Sequence, residues 1–208
     1  MVLAGALITA GGLAWLLAAE HRKSSSRFIA KPLASFGFLL TALGAGALDS
    51  TFGRWMLAGL VLSALGDAFL LGKQEAAFLA GLGSFLLAHV VFGVAFLARG
   101  VSALGLLAVL PLAVFAWRVL RWLSPHISGR MRAPVTAYAV AISLMGVLAI
   151  ATAVELWDWR IPVGAVLFIA SDIAVARDNF VSAGFVNRMW GLPLYFSGQL
   201  LLAWAAGG

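Results

Sequence analysis

The sequence is divided into eight long apolar segments, and this pattern restricts the chain to a lipid bilayer. A helix needs about 20 mostly apolar residues to cross the hydrocarbon core. Hydrophobic residues make up 63% of the chain and charged residues 11%, whereas a soluble domain is roughly half apolar and a quarter charged. We therefore predict an all-α, polytopic membrane protein with about eight transmembrane helices in one bundle, forming a single transmembrane domain over residues 1–208. The predicted segments are 2–19, 30–48, 54–72, 77–98, 101–119, 133–154, 161–177 and 188–206.

Composition also excludes several classes of function. The chain has no cysteine, which removes disulfides, thiol nucleophiles and cysteine-bound metals. Its net charge of +6 would suggest a nucleic-acid partner in a soluble protein. Here the basic residues stand at segment ends, where they set the orientation in the membrane. We expect no nucleic-acid partner and no cofactor.

The distribution of basic residues predicts the orientation of the bundle. Eleven of the 14 Lys and Arg residues fall in or beside the first, third, fifth and seventh connections, and only Arg54, Arg99 and Arg160 belong to the even ones. Cytoplasmic connections carry the excess of positive charge. Both termini should then lie outside the cytoplasm. If the source is bacterial, we expect the protein to lie in the inner membrane. No basic residue precedes segment 2–19, so it should be a retained helix rather than a cleavable signal peptide.

Three ionisable side chains lie well inside the apolar segments, where each costs about 2.5–3.5 kcal/mol. Asp67 and Asp172 lie in segments that run inward, and each stands about 8–9 Å from its inner end. His89 is nearer the middle of its segment. Helix 8 adds Tyr195 and Gln199, which are four residues apart and share one face. Lys31, beside Pro32, begins helix 2 on the same side. The common depth predicts one polar cavity in the cytoplasmic half.

Each of these residues also has a purely structural interpretation. A buried Asp can serve as a partner for an amide or hydroxyl, His89 can be a satisfied core donor, and Lys31 can extend to the headgroups. A metal site would need three or four ligands, which would require His89 and both Asp residues, so we expect no metal. Ser171 adjoins Asp172 but faces about 100° away on a helix, and no Gly-x-Ser-x-Gly elbow exists to make it a nucleophile.

The chain contains a set of short motifs in the order Lys31-Pro32, Gly66-Asp67, Gly81-x-x-x-Phe85-x-x-x-His89, Gly164-x-x-x-Phe168-x-x-Ser171-Asp172 and Tyr195-x-x-x-Gln199. In order and spacing this set, which covers most of the chain, resembles the YhhN-like membrane family, which includes the lysoplasmalogenases. One departure is Phe92, where the family often has a Tyr soon after the histidine that corresponds to His89.

The resemblance implies a hydrolase that cleaves the vinyl ether bond of a lysophospholipid substrate. The products would be a fatty aldehyde and glycerophosphoethanolamine or glycerophosphocholine. A vinyl ether is protonated on carbon, and water then attacks the oxocarbenium ion, so one neutral carboxylic acid and one carboxylate suit the reaction, as in glycosidases. Asp67 and Asp172 would be the acid/base pair, assisted by His89. Substrate or water would contact Tyr195, Gln199 and Ser171, with Lys31 on the phosphate.

Two other functions fit the same residues. A transporter of small solutes or lipids could use the Asp pair as a proton relay, although no helix has the paired Gly/Pro interruptions typical of transporter helices. A non-catalytic lipid-binding or scaffold protein could hold the same cavity. Release of an aldehyde would distinguish the enzyme from both.

Overall fold

Eight α-helices follow one another along the chain, and no strand interrupts them. The structure, a computed structural model, describes residues 1–208. The predicted all-α class and the order of eight helices are confirmed. A 3₁₀ turn, Gly105–Ala108, precedes the fifth helix, and a π-helical turn, Arg177–Val181, follows the seventh. The helices are α1 Val2–His21, α2 Arg27–Ala45, α3 Thr51–Phe69, α4 Glu75–Arg99, α5 Val109–Leu123, α6 Gly129–Leu156, α7 Arg160–Ala176 and α8 Phe185–Ala205.

Five of these helices are long and apolar enough to cross a bilayer by length and composition: α1, α2, α4, α6, and α5 together with its 3₁₀ turn. The other three, α3, α7 and α8, are shorter or more polar. They contain Asp67, Asp172 and Tyr195. The protein is thus a multi-pass integral membrane protein, while the count of eight spans stays a prediction.

The outer surface of the bundle is apolar, as lipid contact requires. On α5, Leu110 is 67% exposed and Trp117 is 56% exposed, and long apolar side chains are also exposed on α1, α4 and α6. Soluble monomers rarely expose contiguous apolar surface on this scale. In a bilayer, lipid tails cover these side chains, so their apolar surface is not exposed to water.

Small residues bring neighbouring helices into close contact. A Cβ on Gly5 would lie 2.6 Å from the carbonyl oxygen of Gly37, so α1 and α2 can approach only because both positions are glycine. The same holds for α7 and α8, where a Cβ on Gly198 would lie 2.8 Å from the Gly164 oxygen. Helices in lipid associate through such van der Waals contacts, since lipid tails are as apolar as leucine.

The fifth predicted segment began too early. Residues 101–104 are not helical, and α5 starts only at Val109. The reason is a tertiary contact: the backbone N–H of Ser102 donates to the Ala151 carbonyl on α6 at 3.0 Å, and Gly105 packs against the same residue. Hydropathy does not detect this contact, because the segment is as apolar as the helix that follows it.

The connection before α7 contains a compact ion pair. Asp158 Oδ2 lies 2.8 Å from Arg160 Nη2, and Asp158 Oδ1 also accepts from the Arg160 backbone N–H at 3.0 Å. Partial burial raises the pKa of Asp158, but the hydrogen bonds and the charge of Arg160 outweigh it and hold that pKa below its usual value. This pair lies in an even connection, away from the other buried carboxylates.

We predict that a reporter fused after the C-terminal residue, Gly208, is exposed outside the cytoplasm. The reason is the eleven-to-three distribution of Lys and Arg. A phosphatase reporter at this position should be active, and a fluorescent reporter that folds only in the cytoplasm should be dark. The matched control is a fusion truncated after Lys73, in the third connection, which should give the opposite result. A C-terminal fusion active only in the cytoplasm would contradict the orientation.

Candidate active site

A cavity of about 680 Å³ lies between the helices and reaches the end of the bundle where the odd-numbered connections lie. Its volume is within the range of small-molecule sites, about 300–1,000 Å³. Five predicted site residues line it: Lys31, Asp67, Ser171, Asp172 and Tyr195. Two do not: His89 and Gln199 are buried outside its lining.

Asp67 lies among three donors. Its Oδ2 accepts hydrogen bonds from the Tyr195 and Ser35 hydroxyls, each at 2.7 Å. Its Oδ1 lies 3.1 Å from the Lys31 ammonium group. Only 3% of the Asp67 side chain is exposed. A buried anion is stable only when it is paired and hydrogen-bonded. The cationic partner and the two hydroxyl donors meet this requirement for a negatively charged Asp67.

Asp172 has a sparser environment and faces the cavity more openly. Its Oδ2 accepts a hydrogen bond from the Tyr138 hydroxyl at 2.7 Å. The nearest cationic candidate is His89, whose Nε2 lies 3.9 Å from the same oxygen, too far for a direct hydrogen bond. The Asp172 side chain is 17% exposed. The two carboxyl groups thus differ: one is enclosed by donors and a lysine, and the other is open on the cavity side.

Two residues of the site were not predicted from the sequence. Tyr138 on α6 binds Asp172, and Ser35, one turn after Lys31 on α2, binds Asp67. The chain has only two tyrosines, and each donates to one of the two aspartates that line the cavity. That scarcity was the signal for Tyr138. Phe92, the departure from the family pattern, is fully buried and packs against Gly59.

Two phenylalanines hold the polar side chains in position. The Phe85 ring packs edge-on against Tyr195, with centroids 5.8 Å apart, and occupies the space that a side chain at Gly66 would fill. The Phe168 ring lies 5.5 Å from Tyr195 and 4.6 Å from His89. Because both rings are buried, Tyr195 has little freedom to leave Asp67.

The remaining predicted residues have more limited contacts. The Ser171 hydroxyl donates to the Phe168 carbonyl at 2.7 Å, so it serves its own helix. His89 and Gln199 have no hydrogen-bond partner for their side-chain polar atoms. Lys31 lies against Asp67 rather than free for a phosphate. No group of three His, Asp or Glu side chains is arranged to hold a metal ion.

The fold and the cavity define a multi-pass membrane protein with two differently held carboxyl groups in one site. Comparison with known proteins then gives the family. The profile described as the YhhN family matches residues 26–206. The chain belongs to the YhhN family.

Relatives with curated names agree with this family. Lysoplasmalogenase TMEM86A of Bos taurus is 30% identical over 200 residues, which cover 92% of this chain and 82% of that protein. The human protein of the same name is 30% identical over 199 residues, covering 92% and 82%. A lysoplasmalogenase of Mycobacterium bovis is 34% identical over 175 residues, covering 79% of this chain and 63% of that protein. No solved structure matches the chain.

Proposed function

We propose that this protein is a lysoplasmalogenase, an ether hydrolase that cleaves the vinyl ether bond of lysoplasmalogens inside the membrane. The products are a fatty aldehyde and glycerophosphoethanolamine or glycerophosphocholine. The observation that carries the proposal is the pair of carboxyl groups on one cavity with opposite environments, Asp67 enclosed by donors and Asp172 open to the cavity. The names of the family relatives support the same substrate class.

Asp172 is the general acid in this mechanism. A carboxyl group in an apolar site, without a cationic partner in hydrogen-bond range, favours its neutral form. Asp172 meets this description, with the Tyr138 hydroxyl on one oxygen and the other free toward the cavity. It donates its proton to the β-carbon of the vinyl ether, and the α-carbon becomes part of an oxocarbenium ion. His89 and Tyr138, which contact each other and flank Asp172, position its carboxyl group.

Asp67 is the permanent anion of the pair. Its charge, balanced by Lys31 at 3.1 Å, stabilises the oxocarbenium ion through space. Water adds to the α-carbon and gives one proton to the Asp172 carboxylate, which restores the acid and leaves a hemiacetal. The hemiacetal then breaks its bond to the glycerol oxygen while its hydroxyl proton passes to that oxygen, which releases aldehyde and alcohol. The sum is one vinyl ether and one water converted to one aldehyde and one alcohol.

The lining of the cavity suits one long chain. Apolar side chains from α4, α5, α6 and α7 form one wall of it, among them Phe78, Phe85, Phe115, Ile142 and Ile169. These apolar side chains can hold an alkenyl tail, while polar groups from α2, α3, α6, α7 and α8, Asp172 and Tyr138 among them, line the same cavity. A single-chain lysolipid thus fits a cavity that has both an apolar and a polar lining.

We expect purified protein in detergent to release fatty aldehyde from a choline or ethanolamine lysoplasmalogen. The matched substrate control is the saturated 1-O-alkyl lysophospholipid, which has no double bond to protonate and should give no aldehyde. Aldehyde is measured by a coupled dehydrogenase. Absence of aldehyde, together with counterflow of a solute in proteoliposomes, would replace the proposal with a transporter that uses the Asp pair as a proton relay.

A further inference from the structure

A ring of charged side chains surrounds the cavity where it reaches the odd connections; we call it the mouth. It consists of Glu20 on α1, Arg27 on α2, Lys73 and Glu75 before and at the start of α4, Asp178 after α7, and Arg188 on α8. Three bases and three acids make the mouth formally neutral, although the whole chain carries +6. The proposed chemistry at Asp67 and Asp172 does not use any of them.

One half of the mouth is held rigid by a network of hydrogen bonds. The Arg188 guanidinium binds Glu20 and also lies 3.3 Å from Asp178 Oδ2. Asp178 Oδ1 accepts from the Gly184 backbone at 2.7 Å and from the buried Asn187 amide at 3.0 Å. Asp178 belongs to the π-helical turn, a distortion frequent at functional sites. The network connects α1, α7 and α8, so its charges stand in fixed positions before any ligand arrives.

The bases in the mouth keep free hydrogen-bond donors. The Arg188 side chain is 41% exposed. A guanidinium has five N–H donors, which is more than the two carboxylate partners of Arg188 use. Arg27 lies 3.9 Å from Glu20 at its closest, which is an ion pair but not a hydrogen bond. Lys73 and Glu75 are exposed and form no ion pair. An incoming anion therefore finds donors, and an incoming cation finds carboxylates, in the same ring.

The distance from Lys31 and Tyr195, which contact Asp67, to the mouth matches a glycerophospho headgroup. Arg27 precedes Lys31 by one helical turn, about 6 Å, and Arg188 precedes Tyr195 by about 10 Å. In a lysoplasmalogen, five bonds separate the ether oxygen from phosphorus and nine separate it from the amine nitrogen. An extended chain advances roughly 1.2 Å per bond, so these spans are about 6 and 11 Å. With the vinyl ether at the level of Lys31 and Tyr195, the headgroup is long enough to reach Arg27 and Arg188.

We infer that the mouth is a subsite for the zwitterionic headgroup of a lysophospholipid, with Arg27 and Arg188 binding the phosphate and Glu20 and Asp178 facing the ammonium group. The assignment rests on the proposed function for its substrate class. It adds a selectivity, because a ring with equal numbers of positive and negative side chains favours a zwitterion over a headgroup of net charge. Lys31 has a different role from the basic residues of the mouth, because it is the counter-ion of Asp67.

The experiment measures binding rather than turnover, so that it does not depend on the vinyl ether reaction. The probe is a saturated 1-O-alkyl lysophosphatidylethanolamine, titrated into the protein in detergent. Arg27→Gln and Arg188→Gln should each weaken its binding by about 10- to 100-fold, the usual effect of losing a charged hydrogen bond. Binding of 1-O-alkylglycerol, which has the same chain and no phosphate, should be unchanged in both variants. Arg130→Gln, an exposed base outside the cavity, is the matched control.

Two further arms define the ligand. Wild-type protein should bind the ethanolamine probe at least tenfold more tightly than the corresponding alkyl lysophosphatidic acid. Glycerophosphoethanolamine should compete with the probe at concentrations where inorganic phosphate does not, which separates a headgroup site from a general phosphate site. Should Arg188→Gln fail to fold because it connects three helices, Arg27→Gln gives the answer alone.

Equal loss of the phospholipid and of alkylglycerol binding in a folded Arg27→Gln variant would overturn the subsite, as would unchanged binding of both. Failure of the proposed hydrolase has a different signature: no aldehyde forms from lysoplasmalogen, whatever the binding assay gives. The two ideas can therefore be rejected separately.

Discussion

Asp172→Asn should lower the turnover of lysoplasmalogen by at least about 100-fold while the protein keeps its melting temperature. Asn still offers a carbonyl oxygen to the Tyr138 hydroxyl, so the contact at 2.7 Å survives. It has no acidic proton for the vinyl ether carbon. Positioned acid/base groups contribute roughly 10²–10⁴-fold in rate, and an amide in the bilayer core costs less than an ionisable group. Aldehyde release and the detergent melting curve are measured on one preparation.

The matched control for this variant is Asp158→Asn. Asp158 lies in an even connection, away from the cavity, and binds only its own arginine. Its replacement should leave aldehyde release near the wild-type rate. Near wild-type turnover in Asp172→Asn would reject Asp172 as the acid. A fall in melting temperature that parallels the fall in rate would instead indicate a structural role.

Asp67→Asn should abolish turnover and also destabilise the protein. From the sequence alone, we would expect both Asn variants to keep the fold intact, but the structure changes this for Asp67. Its loss leaves the Lys31 ammonium group buried beside a neutral amide, with no carboxylate within salt-bridge distance. Removing one partner of a buried ion pair typically costs about 3–5 kcal/mol. The melting temperature and the rate should therefore fall together.

A double variant separates the two effects. In Asp67→Asn with Lys31→Met, the stranded charge is gone and a side chain of similar length fills its place. We expect the melting temperature to recover toward the wild-type value, because apolar replacement of a whole buried pair is often neutral or stabilising. Turnover should stay lost, because the anion that stabilises the oxocarbenium ion is still missing. Recovery of turnover in the double variant would show that the Asp67 charge is not needed.

The parts of the fold that could be predicted are those that rest on the cost of burying charge in lipid. Eight helices followed from the spacing of polar connections. Asp67, Asp172 and His89 stood out because an ionisable group in an apolar segment is expensive. The structure brings both aspartates to one cavity at the predicted end of the bundle, as their equal depth suggested. Their catalytic roles stay a prediction.

The parts that were missed depend on contacts between helices. Tyr138 lies in an apolar helix where an aromatic residue needs no special explanation. The scarcity of tyrosine was its only sequence signal, and its role became visible only in the contact with Asp172. The pairing of Lys31 with Asp67 could not be read from a lysine near a helix start, which is the usual place for a residue that extends to the headgroups. The mouth also escaped prediction, because charges in short connections are typical of any membrane protein.

One wall of the cavity depends on the bilayer itself. Phe115 and Val119 of α5 line the cavity, yet α5 has only one fully buried residue and packs mainly against α6. Much of what presses this helix against the rest of the bundle must therefore be lipid. The surrounding lipid is therefore part of what holds the site together. A detergent with tails too short to replace that lipid should loosen α5 and reduce substrate binding. Activity lost in such a detergent should return when the protein is placed in nanodiscs, without any refolding step.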